Sequence, residues 1–182
     1  MKRRAEQLDE TRQRIVDATV ALHEEVGPAR TTVTAIAKRA GVSRPTVYSQ
    51  FPDDRALFAA CSGHWRQQHP MPDLEEGELE ATLAALYAYF TENTQMLTNI
   101  DRDARLLAAV GDVYGQALAV RARAADRHAE RIAPGDERVR AVTELAFSFS
   151  TWQTLDAAGL DPTEAASLVA SLAQAAAASV SV

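Results

Sequence analysis

TTVTAIAKRAGVSRPTVYSQFPDDRAL, residues 31–57, places two short apolar periods on either side of Gly41-Val42-Ser43. Val33, Ile36, Ala37 and Ala40 share one face of a helix that starts near Thr32 and stops at Gly41. A glycine suits that stop, because the chain leaves the helix through a left-handed conformation that costs other residues energy. Ser43 is a good N-cap for the next helix, and Pro45 is tolerated in its first turn. Phe51-Pro52 closes that helix, since proline lacks a backbone donor and disfavours helix just before it. Two short helices about a tight turn also occur in plain helical bundles. They equally make a helix-turn-helix, whose second helix lies in the major groove of DNA.

The faces of the second helix bear on that choice. At 100° per residue, Val47 points inward with Phe51 one turn later. Pro45 and Ser49 then point away, Thr46 and Tyr48 flank them, and Arg44 and Gln50 sit at the margins. Small residues, hydroxyls, one guanidinium and one amide suit a groove about 12 Å wide lined with donors, acceptors and thymine methyls. Arg44 suits a guanine, Gln50 an adenine, and Thr46 and Pro45 the thymine methyls; Tyr48 suits a phosphate, which positions the helix without reading sequence.

The run Thr32-Val33-x-x-Ile36-Ala37-x-x-Ala40-Gly41-Val42-Ser43-x-x-Thr46-Val47-Tyr48-x-x-Phe51, with Leu57 and Phe58 beyond it, resembles the tetracycline-repressor (TetR) family of regulators. The motif covers about residues 10–60; the remainder is similar only in length and helical content. The resemblance implies an Ω-shaped, all-helical homodimer with a three-helix DNA-binding head. It also implies a body with a ligand pocket, and a four-helix bundle made by the last two helices of each subunit. Carried over by position, it makes Arg44, Pro45, Thr46 and Gln50 base-reading candidates, joined by Thr34, and makes Thr32, Ser43 and Tyr48 phosphate contacts. Ser49, on the outward face, belongs with them. Two departures stand out. The family usually has histidine or tyrosine at Gln50 and Lys-Glu at Asp54-Arg55. Asp54 weakens a phosphate contact there, for which Arg55 is the expected substitute.

Charge follows the same division. Residues 1–55 hold 10 Lys/Arg and 8 Asp/Glu, a balance of +2, whereas residues 56–182 hold 9 and 17, a balance of −8. A basic head on an acidic body fits nucleic-acid contact through the head. Lys2-Arg3-Arg4 is followed by acidic and polar residues, not by the apolar run of a signal peptide. No stretch approaches the roughly 18 apolar residues of a membrane span, and the one cysteine, Cys61, forms no intrachain disulfide. A cytoplasmic protein without a membrane partner is expected.

The rest of the chain reads as helix. Ile15, Thr19, Leu22 and Val26 make one stripe on a helix over about 8–26, stopped by Gly27-Pro28. Further helices are expected at about 53–68, 78–98, 100–112, 113–133, 136–158 and 162–180, with weak breaks at Asn99 and Gly111. The fold class is therefore all-α with about nine helices: a helix-turn-helix DNA-binding domain over 1–55 and a ligand-binding and dimerisation domain over 56–182.

Apolar clefts with a few polar groups hold small molecules. Trp65, Tyr87, Phe90, Met96, Tyr114, Arg121 and Trp152 are the ligand-binding candidates, and Tyr87, Phe90 and Thr94 share a face at i, i+3, i+7. The same pattern also makes a core. Ala165, Leu168, Val169, Leu172 and Ala176 form one stripe, and Ala141, Leu145, Phe149, Trp152 and Leu155 another, on the two helices expected to pair between subunits. The four histidines show no His-x-x-x-His pair, and no glycine-rich phosphate loop occurs, so no metal site, cofactor or catalytic constellation is expected. The sequence points to a repressor released from a palindromic operator by a small molecule. The rival is a helical ligand-binding module that has lost DNA binding, and Asp54 is its one support.

Overall fold

A computed structural model describes the backbone of residues 2–179 and the side chains of 6–179. The expected helix end at 180 and the side chains of Lys2, Arg3 and Arg4 lie outside the described residues. Within them every regular element is helical. In chain order these are α1 (Lys2–Val26), a 3-10 turn (Pro28–Arg30), α2 (Val33–Ala40), α3 (Arg44–Gln50), α4 (Asp54–Gln68) and α5 (Leu79–Glu92). They continue with α6 (Thr94–Asp103), α7 (Ala108–Ile132), α8 (Glu137–Ala146), α9 (Phe149–Ala157) and α10 (Pro162–Ala178).

The chain forms two compact units. One contains the chain up to Pro70 together with Thr94–Gly115; the other contains Met71–Asn93 and the chain from Gln116 onward. In the first unit, Ile15, Val16, Ala18 and Leu22 of α1 form a core with Ile36, Ala37 and Ala40 of α2. Val47, Phe51, Leu57 and Cys61 complete it. The apolar faces read for α1, α2 and α3 are the faces that are buried. Burial pushes the Cys61 thiol up to about 12, so it packs as a small apolar group. In the second unit α10 packs on α5 and α8. Small side chains permit the approach: Ala165, Ala166, Ala170 and Ala173 are buried on α10 beside Val169, facing a core that includes Leu83, Leu86 and Tyr87 of α5.

Several helix boundaries differ from the sequence reading, each for a local reason. The helix expected over 78–98 ends at Asn93, whose side chain donates back to Tyr89 O at 2.8 Å, and Thr94 opens α6. Tyr87 and Phe90 therefore do not share a helix face with Thr94. Asn99, read as a break, is buried inside α6 and donates to the carbonyls of His23 and Glu24. Gly111, also read as a break, lies within α7, where a Cβ would stand 2.9 Å from Ala104 O; it is a close-approach glycine. The helix expected over 136–158 is two, because Ser148 leaves helical geometry and caps α9 through Thr151 N at 3.1 Å. That division gives ten α-helices among the described residues against about nine expected.

His23 is buried in the first unit beside Phe58, with ring centroids 5.5 Å apart. Burial lowers its pKa to about 4, against a smaller opposing pull from Asp103. The unfolded chain thus takes up a proton near pH 6.5, well before the folded one does. The stability this residue contributes is complete above about pH 6.5 and is lost as the pH falls towards 4, by up to about 3 kcal/mol. Urea midpoints at pH 7 and pH 4.5 are expected to show this fall, and His23→Gln to flatten it.

Candidate nucleic-acid interface

The interface is built on the α2–α3 pair. Thr32 caps α2 by accepting from Ala35 N at 3.2 Å. The helix stops at Gly41, which has φ 65° and ψ 38°, and Val42 N then reaches back to Ala37 O at 3.0 Å. Only a residue without a Cβ takes that turn freely. Ser43 caps α3 by accepting from Thr46 N at 3.2 Å, and its Oγ lies 2.7 Å from Thr46 Oγ1. Proline at the second position of α3 forfeits no helical bond there. Capping, turn and proline together define a seven-residue helix whose register is set by one buried side chain, Val47, 1% exposed.

With Val47 inward, the outward face is as its periodicity indicated. Arg44, Pro45 and Ser49 are exposed, and so is Tyr48, a large ring with 51% of its surface free. Thr46 and Gln50 are half-buried at the margins, and Thr32 and Thr34 are exposed at the start of α2. Three hydroxyls are already engaged locally: Thr46 and Ser43 with each other, and Ser49 donating to Thr46 O at 2.8 Å. Arg55 does not stand free as a substitute phosphate contact. It pairs with Asp112 at the start of α7, while Asp53 caps α4 and Asp54 is exposed beside it.

Sequence reasoning missed Arg12. Its guanidinium lies 4.1 Å from the centroid of the Phe51 ring and donates to Gln50 O at 2.9 Å, so α1 holds the end of α3. Nothing in the 31–57 stretch signals a partner 38 residues upstream. On the opposite side, Arg39 of α2 forks onto Glu25 at 2.6 and 2.7 Å.

The seven ligand-binding candidates divide between the units. Tyr87, Phe90, Arg121 and Trp152 converge in the second, where Phe90 meets Phe149 at 5.1 Å and Trp152 at 5.7 Å, and the Arg121 guanidinium lies 5.4 Å from the Phe90 centroid. Phe149 belongs to that cluster and was not among the seven. Tyr87 is fully buried and donates to Ala146 O at 2.7 Å, and burial pushes its pKa up, so it serves the core. Trp65, stacked on His69, Met96, buried in α6, and Tyr114, donating to Asp101 at 2.6 Å, belong to the first unit. Among the described residues no group of three or more His, Cys, Asp or Glu is placed to hold a metal, and no helix is long and apolar enough to cross a membrane.

Residues 15–61 match the profile of the family described as bacterial regulatory proteins, tetR family. The match lies in the head segment alone, which is similar to that family. Proteins from Mycobacterium tuberculosis and Mycobacterium bovis, described as uncharacterized HTH-type transcriptional regulators, are 47% identical over 47 residues, 26% of this chain. The matched segment spans 25% of each of those relatives. Likeness of fold extends much further. A TetR-like transcriptional regulator from Rhodococcus sp. RHA1 superposes with a TM-score of 0.60 over 90% of this chain and 93% of its own, at 22% identity. A protein assigned to the TetR family from Syntrophomonas wolfei does so with the same score over 96% and 98%, at 20% identity. At such identities the likeness is one of fold alone.

Within the head, buried and exposed positions of α3 are expected to differ in what they contribute to stability. Val47→Ala is expected to destabilise the protein by about 2 kcal/mol. Arg44→Ala is expected to shift stability by no more than about 0.5 kcal/mol. Chemical denaturation of the two variants checks the contrast.

Proposed function

We propose that this protein is a ligand-responsive, DNA-binding transcriptional regulator that acts as a homodimer on a palindromic operator. The observation that carries the reading is the outward face of α3. Arg44, Pro45, Tyr48 and Ser49 stand exposed on a helix whose register is held by Val47, Ser43 and Gly41. Base reading falls to Arg44, Pro45, Thr46 and Gln50, with Thr34; Thr32, Ser43, Tyr48 and Ser49 serve the backbone. The functional division is a DNA-binding domain over 1–55 and a ligand-binding and dimerisation domain over 56–182, working in the cytoplasm where operator DNA lies.

A dimer is supported by leucines left in water. Leu145 of α8 is 61% exposed, and Leu168 and Leu172 of α10 are 46% and 53% exposed, on two helices that pack on each other. Leu168 and Leu172 belong to the expected stripe, but Ala165 and Val169 of that stripe are buried and Ala176 is half-buried. A second copy covering these leucines brings two recognition helices to one duplex, where half-sites about 34–36 Å apart match successive major grooves. Release by a small molecule requires that the ligand prefer the dimer geometry that does not fit DNA, since it shifts the equilibrium only by that difference. The aromatic cluster around Phe90 with Arg121 suits an apolar ligand with one acidic or polar group. A repressor is favoured by the family resemblance.

The rival module that has lost DNA binding draws on Asp54 and on the pairing of Arg55 with Asp112, which remove a cation from the start of α4. Selection of bound duplexes from a random library, at near-physiological salt, tests between them. A palindrome with half-sites about one helical turn apart is the expected result. Absence of any salt-dependent DNA binding overturns it. On the selected duplex, Arg44→Ala is expected to cost about 1–3 kcal/mol at one base position per half-site, read by competition with substituted duplexes. Leu168→Glu with Leu172→Glu is expected to yield a monomer by sedimentation, with helical content retained.

A further inference from the structure

The helix that finishes α1 does not come from the head segment. Asn99, Arg102 and Asp103 of α6 take up the polar groups at the α1 end and at the turn that follows. Asn99, 3% exposed, donates through Nδ2 to His23 O at 3.0 Å and Glu24 O at 2.7 Å. Arg102 donates to Val26 O at 3.1 Å and to Asn99 Oδ1 at 3.0 Å, and forks onto Asp103 at 2.7 and 3.0 Å. Asp103, 1% exposed, accepts from Ala29 N at 2.9 Å, the first free amide after Pro28. Three α1 carbonyls and one turn amide are thus bonded by side chains more than 70 residues away, and His23 O also accepts from Gly27 N at 3.0 Å.

The clamp also demands a glycine. Gly27 has φ 90°, and a Cβ there would collide with Arg102 Nη2 and Asp103 Oδ2. Burial alone would raise the Asp103 pKa, but hydrogen bonds from Arg102 and Ala29, with the charges of Arg102 and Arg30, hold it below the usual carboxylate range. Thr31 then closes the turn on Gly27 O at 2.9 Å, and Thr32 caps α2. The dihedrals at 27–31 set the direction in which α2 leaves α1, and α3 is joined to α2 by a turn of fixed geometry.

We propose that Asn99, Arg102 and Asp103 are positioning residues for DNA binding: without meeting DNA, they fix the α1–α2 turn and so the heading of the recognition helix. The proposal rests on the DNA-binding reading above. Its test uses the full chain and the duplex that the wild-type protein selects, with affinity measured on active molecules counted by stoichiometric titration, well below the unfolding midpoint. Asp103→Asn and Arg102→Ala are expected to weaken binding about tenfold, the scale of one lost charge-assisted hydrogen bond. The slope of log affinity against log salt is expected to stay unchanged, and the Ala29 amide to exchange faster. Arg102→Lys, which keeps the charge and loses the fork, is expected to follow Arg102→Ala. Arg102 is 41% exposed, so its replacement leaves the core intact. Faster Ala29 exchange at unchanged affinity would overturn the proposal, leaving the clamp a matter of stability. A slope reduced by about one in Arg102→Ala, restored in Arg102→Lys, would also overturn it and make Arg102 a phosphate contact. If the wild type selects no duplex and binds none at low salt, both the clamp and the DNA reading fall.

Discussion

Burial of Val47 sets which side chains of α3 face outward from the head. The residue is 1% exposed in a core with Ile15, Ile36 and Phe51. On a helix of seven residues one such anchor leaves little choice: a 100° rotation per residue sends Pro45 and Ser49 outward, with Arg44 and Tyr48 beside them. Ser43 and Gly41 prevent the register from slipping, one by capping the helix and the other by supplying a left-handed turn. A polar surface able to meet base edges is therefore a by-product of packing one valine correctly.

That packing would be idle if the pair of helices could swing. Four side chains outside α2 and α3 oppose this. Arg12 holds the last turn of α3 by stacking on Phe51 and bonding Gln50 O, while Asn99, Arg102 and Asp103 hold the turn through which α2 is entered. Charge-assisted bonds suit such work, because each is short and directional, and a buried carboxylate such as Asp103 tolerates no unpaired alternative. The head is thus a small apolar core with polar ties at both ends of the α2–α3 pair.

The second unit follows different physics. Its core relies on close helix approach through alanine, with Ala165, Ala166, Ala170 and Ala173 letting α10 settle on α5 and α8. The leucines at 145, 168 and 172 remain outside that packing. Periodicity grouped Leu168 and Leu172 with Ala165 and Val169, but an alanine-rich helix has apolar surface on more than one side. Which side the subunit buries is decided by the partner helices, not by the spacing.

Local patterns carried the all-helical class, the α2–α3 turn with its caps, and the inward and outward positions of α3, because each depends on residues within one or two turns of helix. The ends at Asn93 and Ser148 escaped notice, since an asparagine or serine inside an apolar period signals a break only when its side chain bonds its own backbone. Asn99 and Gly111 looked like breaks because asparagine and glycine are weak helix formers, yet one is buried in a hydrogen-bond clamp and the other admits a neighbouring carbonyl. Tyr87 and Phe90 were legible as aromatic residues of one helix, but not that Tyr87 spends its hydroxyl on Ala146 O. Sequence alone determined what each short segment is, because helix propensity, capping and left-handed turns are local. The tertiary structure decided which polar side chain reaches which distant backbone group, from Arg12 to Gln50 and from Asp103 to Ala29, because those pairings join residues 38 and 74 positions apart and exist only once the helices have packed.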